Sequence, residues 1–133
     1  MRNAFWNSAG PRFVSKDEAL DLATKTARQI ADRNPEVLRI FLFGSFARED
    51  YGTRSDLDLL IVLQKSDEAA PERINRFLAY APAYPTDMLV YTDEELRARL
   101  SGGDAFLARA LRESIQVWPE DKLGHLPVPA EKR

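Results

Sequence analysis

The chain has 133 residues, of which 44% are apolar and 30% charged, and its formal net charge is −2. This length can bury one ordinary core and is too short for two domains, so we expect a single domain over residues 1–133. The absence of cysteine excludes a disulfide scaffold, a thiolate metal site and a cysteine nucleophile. The mixed charges give no basic field, so strong direct nucleic-acid binding is not expected. Without a membrane-spanning stretch or a secretory signal, the expected location is the cytoplasm.

The first predicted element is a helix that follows an aperiodic arm. Residues 1–14 mix aromatic, polar, Gly and Pro residues, and we expect an arm held by packing; covering a partner surface is the alternative. Ser15 then begins a helix with Glu18 in a capping box, and Pro35 prevents its continuation. Apolar residues recur at helical spacing and predict a face that packs on the core: Leu20, Ala23, Ala27, Ile30 and Ala31.

Two apolar runs, residues 37–43 and 56–63, predict buried strands with charged and small residues at one end of a sheet. Because side chains alternate along a strand, Asp56 and Asp58 point the same way. Two carboxylates held so close repel each other and need a counter-charge. Hard oxygen ligands of this kind suit a divalent cation such as Mg²⁺ or Mn²⁺.

A Gly-Ser turn follows the first strand. Gly44 lets backbone approach a ligand, and a short helix beginning at Ser45 would point amide groups at an anion. A metal-bridged polyphosphate fits this pattern better than a simple carboxylic acid. We favour Arg48 over Arg54 as a phosphate ligand, and the alternative for both is a solvated loop charge.

These residues carry a family resemblance. Gly44-Ser45, ten residues, then Asp56-Leu57-Asp58 resembles the signature of the DNA polymerase beta-like nucleotidyltransferase superfamily. The longer string GSFAR...SDLDLLIVL resembles its minimal nucleotidyltransferase (MNT) branch, of the antitoxin type. Glu49 departs from the branch, which commonly has glycine after the arginine. The resemblance implies an α/β (α+β) fold, a small mixed sheet flanked by helices, and a triphosphate held by Gly44, Ser45 and Arg48.

The resemblance also implies a third carboxylate on an adjacent strand. Residues 84–92 read as a strand in which Asp87 shares a face with Leu89 and Tyr91. Asp87 is therefore the candidate that completes, with Asp56 and Asp58, the catalytic and metal-binding set. The alternative is an exposed aspartate at a strand edge.

The remaining pattern predicts three helices and a short strand. The helices cover residues 71–81, the segment from the Thr92 and Glu95 capping box to Ser101, and the segment capped by Asp104. In the last helix we expect four residues to face inward: Phe106, Leu107, Ala110 and Leu111. A strand over 115–118 then precedes a loose tail at 119–133, in which His125 is an expected bystander.

Two groups of side chains outside the motif leave alternatives open. Cations of the last two helices read as solvated surface, with a partner- or acceptor-binding role as the alternative: Arg97, Arg99, Arg109 and Arg112. The tyrosines near the motif strands read either as packing residues or as platforms for a base: Tyr51, Tyr84 and Tyr91.

The activity that the resemblance implies is metal-dependent transfer of a nucleoside monophosphate, AMP from ATP, to a hydroxyl group. No further acceptor-binding unit is expected in this chain, so the acceptor site would lie on a separate protein. Relatives in the minimal branch are paired with an all-helical HEPN protein, which makes a toxin–antitoxin partner the expected acceptor. The alternatives are a non-catalytic nucleotide-binding antitoxin that acts by docking, and transfer to a small molecule. Oligomerisation stays open.

Overall fold

Five helices and four strands make up the part of the chain that the computed structural model describes, residues 15–48 and 55–120. The elements, in order, are α1 (Lys16–Arg33), β1 (Val37–Phe43), α2 (Ser45–Arg48), β2 (Leu57–Leu63), α3 (Ala70–Leu78), β3 (Thr86–Thr92), α4 (Asp93–Ser101), α5 (Ala105–Arg112) and β4 (Ile115–Trp118). Three predicted features lie outside the described residues: the arm, the loop with Tyr51 and Arg54, and the tail from residue 121 with His125.

The four strands form one sheet in the order β3-β2-β1-β4. The central strand β1 is antiparallel to both β2 and β4, whereas β2 and β3 are parallel. Parallel neighbours need a crossover connection, and α3 supplies it. The expected small mixed sheet flanked by helices is confirmed.

The sheet is covered on both faces, which explains why β1 and β2 read as unbroken apolar runs. One face packs against α1, whose fully buried alanines allow close approach of the helix backbone to the sheet, and against Phe77 of α3. The other face packs against α4 and α5 through Leu96, Leu107 and Leu111. Among the described residues, no helix combines the length and apolar character needed to cross a membrane.

Side-chain caps fix the beginnings of three helices, as the sequence predicts. Ser15 accepts a hydrogen bond from the amide of Glu18 at 3.1 Å, and the Glu18 carboxylate accepts one from the Ser15 amide at 2.9 Å. Thr92 and Glu95 repeat this reciprocal pair at α4. The Asp104 carboxylate accepts from the amide of Leu107 at 3.0 Å at the start of α5. Each such cap satisfies amides that the helix leaves without partners.

Three predicted boundaries move by one to three residues. Helix α3 ends at Leu78 rather than at residue 81, because the amides of Tyr80 and Ala81 donate to carbonyls only three residues earlier and tighten the chain into turns. Strand β3 begins at Thr86 rather than at residue 84. Strand β2 begins at Leu57, so that Asp56 immediately precedes it.

The prediction that Phe106 faces inward is wrong. Its side chain is 62% exposed, while Leu107, Ala110 and Leu111 are buried as expected. Phe106 contacts Phe43, the last residue of β1, so it lies where the sheet ends and finds no further strand to pack on. Helical spacing alone does not tell where the underlying sheet stops.

Candidate active site

The parallel pairing of β2 and β3 brings two of the predicted carboxylates together. Asp58 lies directly opposite Asp87 in the register, and Phe43 is the partner of Asp58 on the other side. Both aspartates line a cleft of about 620 Å³ at the end of the sheet. Because side chains alternate, they lie on the face that carries Leu60 and Leu89, which is the face covered by α4 and α5.

Asp56, the third predicted carboxylate, is exposed just before β2 begins. Tyr84 fixes the segment that leads into β2, because its buried phenol donates a 2.6 Å hydrogen bond to the Ser55 carbonyl. The Leu57 amide in turn donates to the Pro85 carbonyl at 2.9 Å. Tyr84 is therefore a packing and positioning residue, which answers the question that the sequence left open for it.

The three acidic groups affect one another. Burial, together with the negative charges of Asp87 and Asp56, raises the pKa of Asp58 to about 6, although the positive charge of Arg48 opposes this shift. A carboxylate crowded in this way is stabilised by a nearby cation. The electrostatics of the cleft thus favour a bound positive ion or a proton.

Gly44 occupies a corner that only glycine fills without strain. Its φ of +79° lies in the left-handed region, and a β-carbon at this position would collide with the carboxylate of Asp58. The amides of Ala47 and Arg48 both donate to the Gly44 carbonyl at 3.1 Å and so begin α2. The amides of Ser45 and Phe46 precede these first helical bonds. The turn therefore presents Ser45 to the cleft beside the acids.

Arg48 also lines the cleft, as expected for a residue that reaches an anion. Its guanidinium lies 3.9 Å from the carboxylate of Glu113, a long ion pair between half-exposed groups. Such a pair contributes little and can be exchanged for a bound anion.

One wall of the cleft was not predicted from the sequence. Phe106, Arg109 and Glu113 line it from α5, although Arg109 reads as solvated surface in the sequence. Arg109 forms an ion pair with Glu113 at 3.2 Å. The available signal was their spacing, because residues three, four and seven apart share one helical face.

The structure brings Gly44, Ser45, Arg48, Asp58 and Asp87 into one cleft, with Asp56 at its approach. Among residues 15–48 and 55–120, however, no three acidic or histidine side chains are already arranged to hold one metal ion. Tyr91, the other described tyrosine near the motif, is partly buried and packs against the core cluster on the α4 side, with the Arg99 guanidinium 5.1 Å from its ring centroid.

Comparison with known structures identifies similar folds. A candidate nucleotidyltransferase from Sulfolobus solfataricus superposes with a TM-score of 0.61 at 21% identity, over 85% of this chain and 90% of that one. A toxin–antitoxin structure with AMP-PNP gives a TM-score of 0.48 at 18% identity, over 75% and 76%. A complex of tri-AMPylated HEPN toxin from Shewanella oneidensis with MNT antitoxin gives 0.43 at 16% identity, over 76% and 73%.

No curated protein sequence matches the chain. The family model described as nucleotidyltransferase domain matches residues 24–130, which is most of the chain and includes every candidate site residue. The chain therefore belongs to the nucleotidyltransferase-domain family.

Proposed function

We propose that this nucleotidyltransferase carries out metal-dependent transfer of AMP from ATP to a hydroxyl group. The observation that supports the proposal most is the position of Asp58 and Asp87, side by side on parallel strands and next to the Gly44 corner in a single cleft. Paired carboxylates beside a turn that can accept an anion are the arrangement that nucleotidyl transfer needs.

The chemistry of the acidic side chains fits Mg²⁺ or Mn²⁺. Asp56, Asp58 and Asp87 offer hard oxygen ligands, and Asp58 already experiences repulsion that a cation would relieve. Divalent cations bound there would neutralise phosphate charge and lower the pKa of the attacking hydroxyl. Asp56, exposed just before β2, would complete the set.

The proposed reaction forms one bond and breaks one. The acceptor hydroxyl oxygen attacks the α-phosphorus of ATP, the bond from that phosphorus to the bridging oxygen breaks, and pyrophosphate leaves. Asp87, on the edge strand β3, would accept the hydroxyl proton. Gly44 and Ser45 would hold the β- and γ-phosphates, with Arg48 neutralising their charge after it exchanges Glu113 for the phosphates.

The proposed acceptor is a tyrosine of a HEPN-type helical protein that this chain restrains as an antitoxin. This part rests on the resemblance of GSFAR...SDLDLLIVL to the minimal branch. Transfer of AMP would add a bulky anionic group to the partner and so change its activity by charge and steric exclusion.

Incubating the chain with the HEPN protein, Mg²⁺ and ATP labelled at the α-phosphorus tests the proposal. Label should pass to the partner, and Asp58→Asn and Asp87→Asn should each lower the rate on the order of 100-fold or more, since each removes a candidate metal ligand. Asp67→Asn is the matched control, because Asp67 is an exposed acid remote from the cleft. Transfer that survives both cleft substitutions would contradict the assignment.

A nucleotide-binding antitoxin that acts by docking is the second candidate. The observation in its favour is that the described acidic side chains are not already gathered around one metal position. It predicts that Mg²⁺ and ATP bind and that the HEPN protein is neutralised without receiving label. The same labelling experiment therefore separates the two candidates.

A further inference from the structure

One wall of the cleft is an exposed aromatic side chain. Phe106 is 62% exposed, and the other exposed large apolar side chain of the described residues is Leu38, at 40%. The ring of Phe106 meets that of Phe43 edge-on, with centroids 6.2 Å apart and planes at 84°. Phe43 is buried and ends β1, so it fixes one side of the exposed ring. The exposed part of the ring is therefore open to a ligand in the cleft.

The position of Phe106 relative to the proposed phosphate site follows from α5. Phe106, Arg109, Ala110 and Glu113 line the cleft and share one helical face. Glu113 lies at the Arg48 end, where the two side chains pair at 3.9 Å. Phe106 is seven residues earlier, about 10 Å away along a helix that rises 1.5 Å per residue. Along this face of α5, the cleft therefore has the Arg48–Glu113 ion pair at one end and the Phe106 ring at the other.

We infer that Phe106, held by Phe43, is the stacking platform for the base of the nucleoside triphosphate. The inference rests on the proposed function, and it extends that function to the part of the substrate that the sequence motif does not reach. A nucleotide has the same division as the cleft, with a polyanionic end and a planar ring at the other end. A cleft of about 620 Å³ also lies within the usual size range for small-molecule sites.

Stacking on a phenyl ring does not read the hydrogen-bonding edge of a base. It rewards ring area, so purines should bind more tightly than pyrimidines. The site should therefore prefer purine to pyrimidine nucleotides and should discriminate only weakly between adenine and guanine.

The experiment measures dissociation constants of Mg²⁺·ATP and of Mg²⁺·tripolyphosphate, which lacks the base, by calorimetry. Phe106→Ala should weaken ATP binding by about 5- to 150-fold, the range for removing one stacking ring, and should leave tripolyphosphate binding unchanged. Phe106→Trp should retain tight ATP binding. Leu38→Ala is the matched control, since it removes an exposed apolar side chain of β1 that does not line the cleft.

Each other outcome overturns a different statement. Equal binding of ATP by wild type and Phe106→Ala would overturn the inference, as would equal losses of ATP and tripolyphosphate binding. Unchanged ATP binding with loss of transfer to the protein partner would assign Phe106 to the acceptor and overturn it as well. If wild type binds neither ligand, the proposed phosphate site itself fails, which is distinct from failure of the platform.

Discussion

Asp58 should lower the stability of the folded protein as the pH rises, because its carboxyl group binds a proton more tightly in the folded state than in the unfolded state. Its pKa is raised from 3.8 to about 6 by burial and by the charges of Asp87 and Asp56. Between these values the native state binds more protons than the unfolded state, so stability falls as the pH rises through 6. The charged form of Asp58 that the proposed metal site requires is thus unfavourable for the stability of the metal-free protein.

Replacing this acid with its neutral amide should stabilise the metal-free protein. We expect Asp58→Asn to raise the free energy of unfolding at pH 8 by about 1–2 kcal/mol, which is the pKa shift discounted for solvent access to the cleft. The gain should shrink as the pH falls below 6 and vanish near pH 4. Urea unfolding in EDTA as a function of pH measures it, with Asp67→Asn as control. A destabilised Asp58→Asn at pH 8 would contradict the prediction.

Substitutions at two glycines with positive φ distinguish the cost of backbone strain from the cost of a steric clash. Gly44 and Gly103 have φ values of +79° and +89°, but a β-carbon meets the Asp58 carboxylate at the first and open space at the second. We expect Gly103→Ala to cost about 1 kcal/mol from strain alone. Gly44→Ala should cost about 1–3 kcal/mol more, because the β-carbon displaces Asp58. Urea unfolding of the two variants provides the comparison, and equal costs would show that the corner is not tight.

At the scale of elements, one ion pair joins the crossover helix to the helix after β3. Arg73 on α3 is 6% exposed, and its guanidinium donates to both carboxylate oxygens of Glu95 on α4, at 2.6 and 2.8 Å. The Glu95 carboxylate also accepts from the Thr92 amide at 2.9 Å, which caps α4. The hydrogen bonds from Arg73 hold the pKa of Glu95 at about 2.

This pair should make stability depend on pH in the direction opposite to Asp58. A depressed carboxyl pKa contributes stability that is complete above the unfolded value of 4.5 and is lost as the pH falls toward 2. Glu95→Gln should cost about 1–2 kcal/mol at pH 7, because it leaves a buried guanidinium without its counter-charge. The cost should diminish below pH 4. Chemical unfolding against pH measures it, and Glu94→Gln, an exposed neighbour on α4, should leave stability unchanged.

The elements themselves were largely predictable because local signals agree with the tertiary structure. Capping boxes mark the starts of α1 and α4, and apolar runs mark β1 and β2, which helices cover on both faces. The ends of α3 and β3 were less predictable, since turns after Leu78 and before Thr86 depend on neighbouring carbonyls.

The candidate site likewise contains residues that were predictable from the sequence and residues that were not. Its motif residues share a strand or a turn, so local geometry places them together, and Asp87 needed only the assumption that its strand lies beside β2. Phe106, Arg109 and Glu113 reach the cleft because α5 extends past the end of β1, a relation between distant segments. Their spacing shows that they share one helical face, but no local pattern shows that this face reaches the cleft.

At the scale of the whole molecule, the cleft is built on the ends of the most deeply buried strands. Strands β1 and β2 lie at the centre of the sheet and carry the Gly44 corner and Asp58 at one end. Edge strand β3 adds Asp87, and α5 closes the wall. Ligands held there contact several elements at once, so binding should stabilise the entire domain rather than one loop.

Ligand binding should therefore reverse the stability order of wild type and Asp58→Asn. In EDTA the variant should be the more stable protein, since it lacks the crowded charge. With Mg²⁺·ATP at 100 times the wild-type dissociation constant, wild type should gain about 2.7 kcal/mol. The variant should gain little, because Mg²⁺ loses a carboxylate ligand and the ATP that it bridges is held less tightly. Urea unfolding at pH 8, in EDTA and in Mg²⁺·ATP, measures this reversal of stability order. Unfolding in ATP with EDTA isolates the contribution of the metal. Equal gains for both proteins would remove Asp58 from the metal site even if the fold and the family assignment stand.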